Sequence, residues 1–267
     1  MNNVDLFGEP CESIVTPDGV RRLLGLIPSA LYGVGVLPEK PIDLGELVPQ
    51  NELVPFDAWP DDLPILDQGQ WNACTWYSSC QALQFARFES GQDYVPLDCL
   101  YSYLLVTGGK NSGTNILQAA QSIEAYGIPP VGAAPSEVRE QAYRFRMQLT
   151  DRLVTWPQIL SAVARRRGVV GSVCVGPAYM TLDAEGVMGV TKGRANHAIM
   201  FGGGVKFSQR HGWCVKHAGS WGTAWGQAGF GWYSERHFDS SSYGEAYVTQ
   251  AVHEDLAVDV PPPVALA

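Results

Sequence analysis

Leu66-Asp67-Gln68-Gly69-Gln70-Trp71-Asn72-Ala73-Cys74-Thr75-Trp76-Tyr77-Ser78 is the stretch that makes the rest of this 267-residue chain readable. A turn-forming run ends at Cys74. From there to about residue 90, Trp76, Cys80 and Leu83 fall on one helical stripe, and Gly91 is placed to stop the helix. A cysteine at a helix N-terminus faces the positive end of the helix dipole, which lowers the thiol pKa and prepares a nucleophile. Such a thiol needs a base. It also needs donors aimed at the oxyanion that forms on an attacked carbonyl, and the Gln68 side-chain amide with the Cys74 N–H is placed to supply them.

Two further helices are predicted downstream. One is capped by Thr114 or Asn115, carries Ile116, Ala119, Ala120 and Ile123 on one face, and stops at Gly127 before Pro129-Pro130. The other has Thr155 as its cap, Pro157 in the first turn and Arg165-Arg166-Arg167 at the end that favours cations. After Gly168 the pattern changes to short β-rich runs at 169–175, 196–201, 213–217 and 229–233, with Gly202-Gly203-Gly204 read as a turn. A helical half followed by a β half predicts an α+β protein of two lobes with a cleft between them. The expected organisation is an N-terminal extension over 1–50, a helical lobe over 51–150, a β-rich lobe over 151–253 and an extended tail over 254–267.

Composition excludes several classes of function. A net charge of −9, with no run of cations longer than Arg165-Arg166-Arg167, argues against a nucleic-acid partner, because phosphate binding rests on clustered cations. No stretch approaches the ~20 apolar residues of a membrane helix. Arg21-Arg22 before the apolar residues 23–36 could suggest export, yet Pro28 interrupts that run and Asp5 and Glu9 precede it. Six scattered cysteines, none in a Cys-x-x-Cys pair, point to a reducing, cytoplasmic setting. His211, Cys214 and His217 do not read as a metal site, since on a strand the cysteine faces away from the two histidines. No cofactor is called for.

The second signal is Asn196-His197-Ala198-Ile199-Met200-Phe201, followed by Ser220-Trp221-Gly222-Thr223-Ala224-Trp225-Gly226. Together with the opening stretch it resembles the papain-like cysteine peptidases. In that family Gln-Gly-x-x-x-x-Cys carries the oxyanion glutamine and the nucleophile, Asn/Asp-His-Ala carries the base, and Asn-Ser-Trp-Gly-x-x-Trp-Gly follows. His197 lies 123 residues after Cys74, against about 130–150 in papain and cathepsins. Gly113-Thr114-Asn115-Ile116 resembles the segment lining the family's non-primed substrate subsites. The resemblance covers roughly residues 51–235 and accounts for four tryptophans crowded into twenty residues, Trp213 to Trp232.

It implies a papain-like two-lobed fold and thiol-dependent hydrolysis of a peptide or protein substrate. Cys74 is the implied nucleophile, His197 the base, and Gln68 the oxyanion donor. Trp221 would shield the histidine, and Gly113, Thr114, Ile116 and Ala198 would line the pocket for the substrate side chain. Short, lacking an evident export signal and with reduced cysteines, the chain looks more like bacterial or phage members than lysosomal ones.

Departures from the pattern matter equally. The family's disulfide-bonded cysteine is here Trp71. Its glycine is Asn72, a residue that tolerates positive φ. The asparagine that orients the histidine is replaced by Gly219, and no asparagine follows Asn196. The orienting bond then comes from a backbone carbonyl, Ser220, His217 or water, or it is missing and activity is reduced. A Cys-His-Asp arrangement is disfavoured because the first aspartate after His197 is Asp239. Fifty breaker-rich residues are too few for the family's inhibitory prosegment, so either the enzyme is made active or residues 20–38 cover the cleft. The competing expectation is a papain-like scaffold with weak or no activity, docked on an assembly partner through residues 1–50.

Overall fold

The computed structural model describes residues 12–16, 19–26, 47–242 and 244–252. The tail expected over 254–267, and most of the extension expected over 1–50, lie outside the described residues. In chain order the elements begin with an antiparallel hairpin of β1 (Glu12–Val15) and β2 (Arg21–Leu24) and the short strand β3 (Phe56–Asp57). Four helices follow: α1 (Cys74–Glu89), α2 (Cys99–Val106), α3 (Ile116–Tyr126) and α4 (Val138–Tyr143). Then come β4 (Arg146–Leu153), α5 (Trp156–Ala164), β5 (Val169–Val173), β6 (Gly193–Arg194), β7 (His197–Ser208), β8 (Gly212–Ala218) and β9 (Phe230–Ser234). Helix α6 (Glu235–Ser240) and strands β10 (Ser241–Ser242) and β11 (Ala246–Val252) complete the described chain.

The three helices expected from the sequence form where their signals lie. Cys74 is the first residue of α1, and Trp76, Cys80 and Leu83 are buried; Gly91, at φ +75°, turns the chain after its end. Asn115 caps α3 by accepting the Gln118 N–H at 2.6 Å. Gly127 closes that helix at φ +73°, and a Cβ there would fall 1.8 Å from the Ala142 carbonyl oxygen of α4, so only glycine permits the approach. Gln158 Oε1 accepts the Thr155 N–H at 3.0 Å at the start of α5.

A seven-stranded antiparallel sheet runs in the order β4-β11-β5-β7-β8-β9, with β3 also paired to β7. A parallel pairing of β6 with β10 stands apart from it. Strand β4 crosses the boundary drawn at residue 150 and joins the sheet through β11, whose sequence position is almost a hundred residues away.

Gly202-Gly203-Gly204 does not form the expected turn. These glycines lie inside the twelve-residue β7 at an irregularity between Phe201 and Val205. They serve close packing: the Ala58 N–H reaches the Gly203 carbonyl at 2.7 Å, and a Cβ on Gly204 would sit 2.9 Å from the Phe56 oxygen.

Three apolar clusters organise the interior. One lies on the sheet and includes Trp156, Ile159, Phe201, Trp221, Trp225 and Tyr233. A second, among the helices, includes Trp76, Leu83, Tyr103 and Ile123. The third joins α1 and α3 to the sheet and contains Leu26, Cys74, Phe85, Ile116, Ala198 and Met200. Trp71, at the position where the resemblance has a bonded cysteine, packs edge-on against Tyr103 at 6.2 Å between ring centroids. Cys74, Cys80, Cys99 and Cys214 are free thiols.

Candidate active site

The third cluster brings the two sequence signals together. Cys74 opens α1 and His197 opens β7, and the Cys74 sulfur lies near the N–H of Ala198, the residue after that histidine. Both residues are fully buried. Burial pushes the Cys74 thiol up to about 12 despite N–H donors from Ala198, Gly25, Thr75 and its own backbone. The lowering expected at a helix N-terminus is therefore overridden by desolvation. At pH 7 such a thiol is ionised to only ~10⁻⁵. Burial likewise holds His197 down to about 3, leaving the imidazole neutral.

The chain's own N-terminal segment lies against the sulfur and shares in its burial. After β2 the backbone runs through the cleft at Gly25 and Leu26. The Leu23 carbonyl accepts from Gln68 Nε2 at 3.1 Å, and the Gly25 N–H points to the Cys74 sulfur. The Gly25 carbonyl accepts the Thr114 N–H at 2.9 Å, and the Leu26 N–H reaches the Asn196 carbonyl at 3.3 Å. Leu26 and Thr114 form a parallel β-bridge.

The side chains of this strap are also held. Leu26 packs in the cluster that contains Ile116 and Ala198, and Leu24 packs in the sheet cluster. Arg22 makes a double ion pair with Asp67, Nη1 to Oδ1 at 2.7 Å and Nη2 to Oδ2 at 3.1 Å. The segment expected over 20–38 is thus in the cleft at 23–26; its residues 27–38 lie outside the described ones.

The other expected site residues are placed as follows. Gln68 is buried; besides Leu23 its Nε2 donates to the Trp71 carbonyl at 2.7 Å. Its backbone N–H reaches the Ser220 carbonyl at 2.8 Å, so the loop before α1 is stitched to the Ser220-Trp221-Gly222 segment. Gly113 is buried beside Thr114, whose hydroxyl meets that of Thr75 at 2.5 Å. Trp221 stacks on His197 with centroids 4.5 Å apart and planes 26° from parallel.

Neither ring nitrogen of His197 has a hydrogen-bond partner among the described residues. Among the described residues no orienting bond comes from a backbone carbonyl, Ser220 or His217: His217 Nε2 meets the Tyr179 hydroxyl at 3.3 Å, and the Ser220 carbonyl accepts from Gln68. Gly219 leaves little room for a side chain, because a Cβ would lie 3.0 Å from the Trp225 ring, which would have to give way.

Sequence reasoning missed four residues here. Arg22 was weighed only as part of an export signal, and Gly25 carried no signal at all. Asn72 was read as a residue able to take positive φ, yet it does not; Gly69, at +59°, makes that turn. Asn72 is anchored instead by Asn111, its N–H donating to Asn111 Oδ1 at 2.7 Å and its Nδ2 to the Asn111 carbonyl at 3.1 Å. His211 was weighed as a metal ligand and set aside; its partner Asp183, at 2.7 Å, carried no signal.

No family model and no curated protein matches the sequence. Solved structures do. Xylellain, a cysteine protease from Xylella fastidiosa, is 17% identical over 86% of this chain and 96% of its own, with a TM-score of 0.63. Digestive procathepsin L 3 of the Tenebrio molitor larval midgut is 18% identical over 80% of this chain and 72% of its own, with a TM-score of 0.54. The bromelain protease from Ananas comosus is 16% identical over 78% of this chain and all of its own, with a TM-score of 0.56. At such identities the likeness is one of architecture, and it agrees with the α+β arrangement of helices and antiparallel sheet described above: the chain has the papain-like cysteine protease fold.

Proposed function

We propose that the protein is a cysteine peptidase held in a latent state by its own N-terminal strap. Cys74 attacks the carbonyl of a peptide bond, His197 takes the thiol proton and later gives it to the leaving amine, and Gln68 Nε2 with the Cys74 N–H stabilises the oxyanion. The observation that carries this reading is the position of the Leu23 carbonyl. A peptide carbonyl already rests on the Gln68 donor while the same strand passes over the Cys74 sulfur, so the cleft binds extended peptide at the atoms the reaction needs. Withdrawal of the strap would rehydrate the cysteine and histidine, removing the desolvation that keeps both neutral. The unbridged thiols support a reducing compartment as the place of action.

Labelling by a thiol-directed epoxide tests the reading. The intact protein should react slowly at Cys74, and a variant with a loosened strap, Arg22→Ala, should react fast and cleave a denatured protein substrate. A folded Arg22→Ala protein whose Cys74 labels but which cuts nothing overturns hydrolysis. That result would favour the second reading, a papain-like scaffold with little or no activity, for which the unpartnered His197 and the filled Gly219 position speak.

A further inference from the structure

The strap crosses the nucleophile at a glycine, and the space there fits nothing larger. A Cβ on Gly25 would lie 2.4 Å from the Asn72 carbonyl oxygen, 2.7 Å from its carbonyl carbon and 2.7 Å from its Cβ. Two of those three atoms are backbone, which no rotamer change can move. The Asn72 peptide is also pinned, since its N–H and its side-chain Nδ2 both donate to Asn111. Asn111 Oδ1 in turn accepts from the Tyr103 hydroxyl at 3.1 Å, and its Nδ2 donates to the Gln70 carbonyl at 3.2 Å. Asn72 itself is fully buried and held from several sides. On both sides of the glycine the strap places leucine in apolar surroundings, Leu24 against the sheet cluster and Leu26 against Ile116 and Ala198.

We propose that Asn72 is a specificity-determining residue. It restricts the cleft beside Cys74 to peptides carrying glycine at that point, flanked by leucine-sized apolar residues. The strap satisfies the rule with Leu24-Gly25-Leu26, and a peptide that displaces it must satisfy the same rule. The inference rests on the cleft being a peptide site, as the proposed peptidase reading has it, but it concerns which peptide is held and not whether one is cut.

The test reads occupancy through the thiol. Cys74 alkylation by iodoacetamide is followed by mass spectrometry in the full-length protein, with circular dichroism confirming the fold. Gly25→Ala should raise the rate about tenfold or more, because its methyl cannot be accommodated. Added Arg-Arg-Leu-Leu-Gly-Leu-Ile should restore protection, and Arg-Arg-Leu-Leu-Ala-Leu-Ile should not.

Equal protection by both peptides, or a Gly25→Ala rate equal to that of the intact protein, overturns the proposal. Should Gly25→Ala fail to fold, Arg22→Ala gives the same peptide comparison. A parallel hydrolysis assay separates the two ideas: glycine-dependent protection with no cleavage leaves the selectivity standing and removes the peptidase.

Discussion

The two banks of the cleft are built differently. On the bank of α1, Gln68 Nε2 has two carbonyl partners, the Cys74 sulfur gathers N–H donors, and Asn72 is tied twice to Asn111. On the bank of β7, His197 has no hydrogen-bond partner at either nitrogen among the described residues and is held by the face of Trp221. One bank positions its chemistry by hydrogen bonds, the other by packing. The neighbours of Gly219 are aromatic: a Cβ there would press on the Trp225 ring, which stacks on Tyr179 at 5.7 Å and meets Trp221 edge-on at 5.5 Å. Hydrogen bonds fix direction as well as distance, whereas a stack of rings leaves rotation in the plane comparatively cheap. The α1 bank is thus ready for a carbonyl, and the β7 bank depends on its aromatic wall.

Trp221→Ala attacks that wall most directly. Removal of a fully buried tryptophan should cost about 3–5 kcal/mol in denaturant unfolding and take most of the activity with it. A variant that loses neither would show that stacking does not hold the histidine. Next in size, Gln68→Ala measured in the Arg22→Ala background should lower kcat by about 10²–10³-fold with KM little changed, the pattern of a lost oxyanion donor. A KM effect alone would instead make Gln68 an anchor for the strap.

Gly219→Asn restores the residue type that the resemblance calls for, yet it should destabilise by about 1–3 kcal/mol and raise no activity, since its Cβ presses on Trp225. A gain in kcat would mean that the aromatic wall yields. The smallest effect is electrostatic. His197 stays neutral in the fold down to about 3, whereas in the unfolded chain it titrates near 6.5. Between those values the unfolded chain binds the extra proton, so stability falls as pH falls. His197→Gln should therefore flatten the decline between pH 6.5 and 3, with little electrostatic change at pH 7, read from urea midpoints.

The contrast also explains what the sequence disclosed. The α1 bank is local: Gln68, Cys74 and the helix they open lie within a few turns of chain, and their capping and periodicity are visible in the residues themselves. The α3 and α5 caps were legible for the same reason. The strap was legible only as one of two alternatives, a cover over residues 20–38; its contacts were not, because Leu23 meets Gln68 across 45 residues and Gly25 meets Thr114 across a still longer gap. Strand β4 was hidden likewise, since its partner β11 is distant and its burial does not alternate cleanly. Gly219 was read correctly as the absence of an asparagine. Its cause, a ring contact made six residues further on, is a matter of tertiary packing.

One consequence follows from the strap being covalently part of the protein it fills. A tethered occupant competes at an effective concentration of order millimolar however dilute the protein is, so a weakly held segment suffices to keep out free peptides. A single cut between residues 26 and 47 would turn that unimolecular closure into a bimolecular one, and simple dilution would then govern whether the cleft is open.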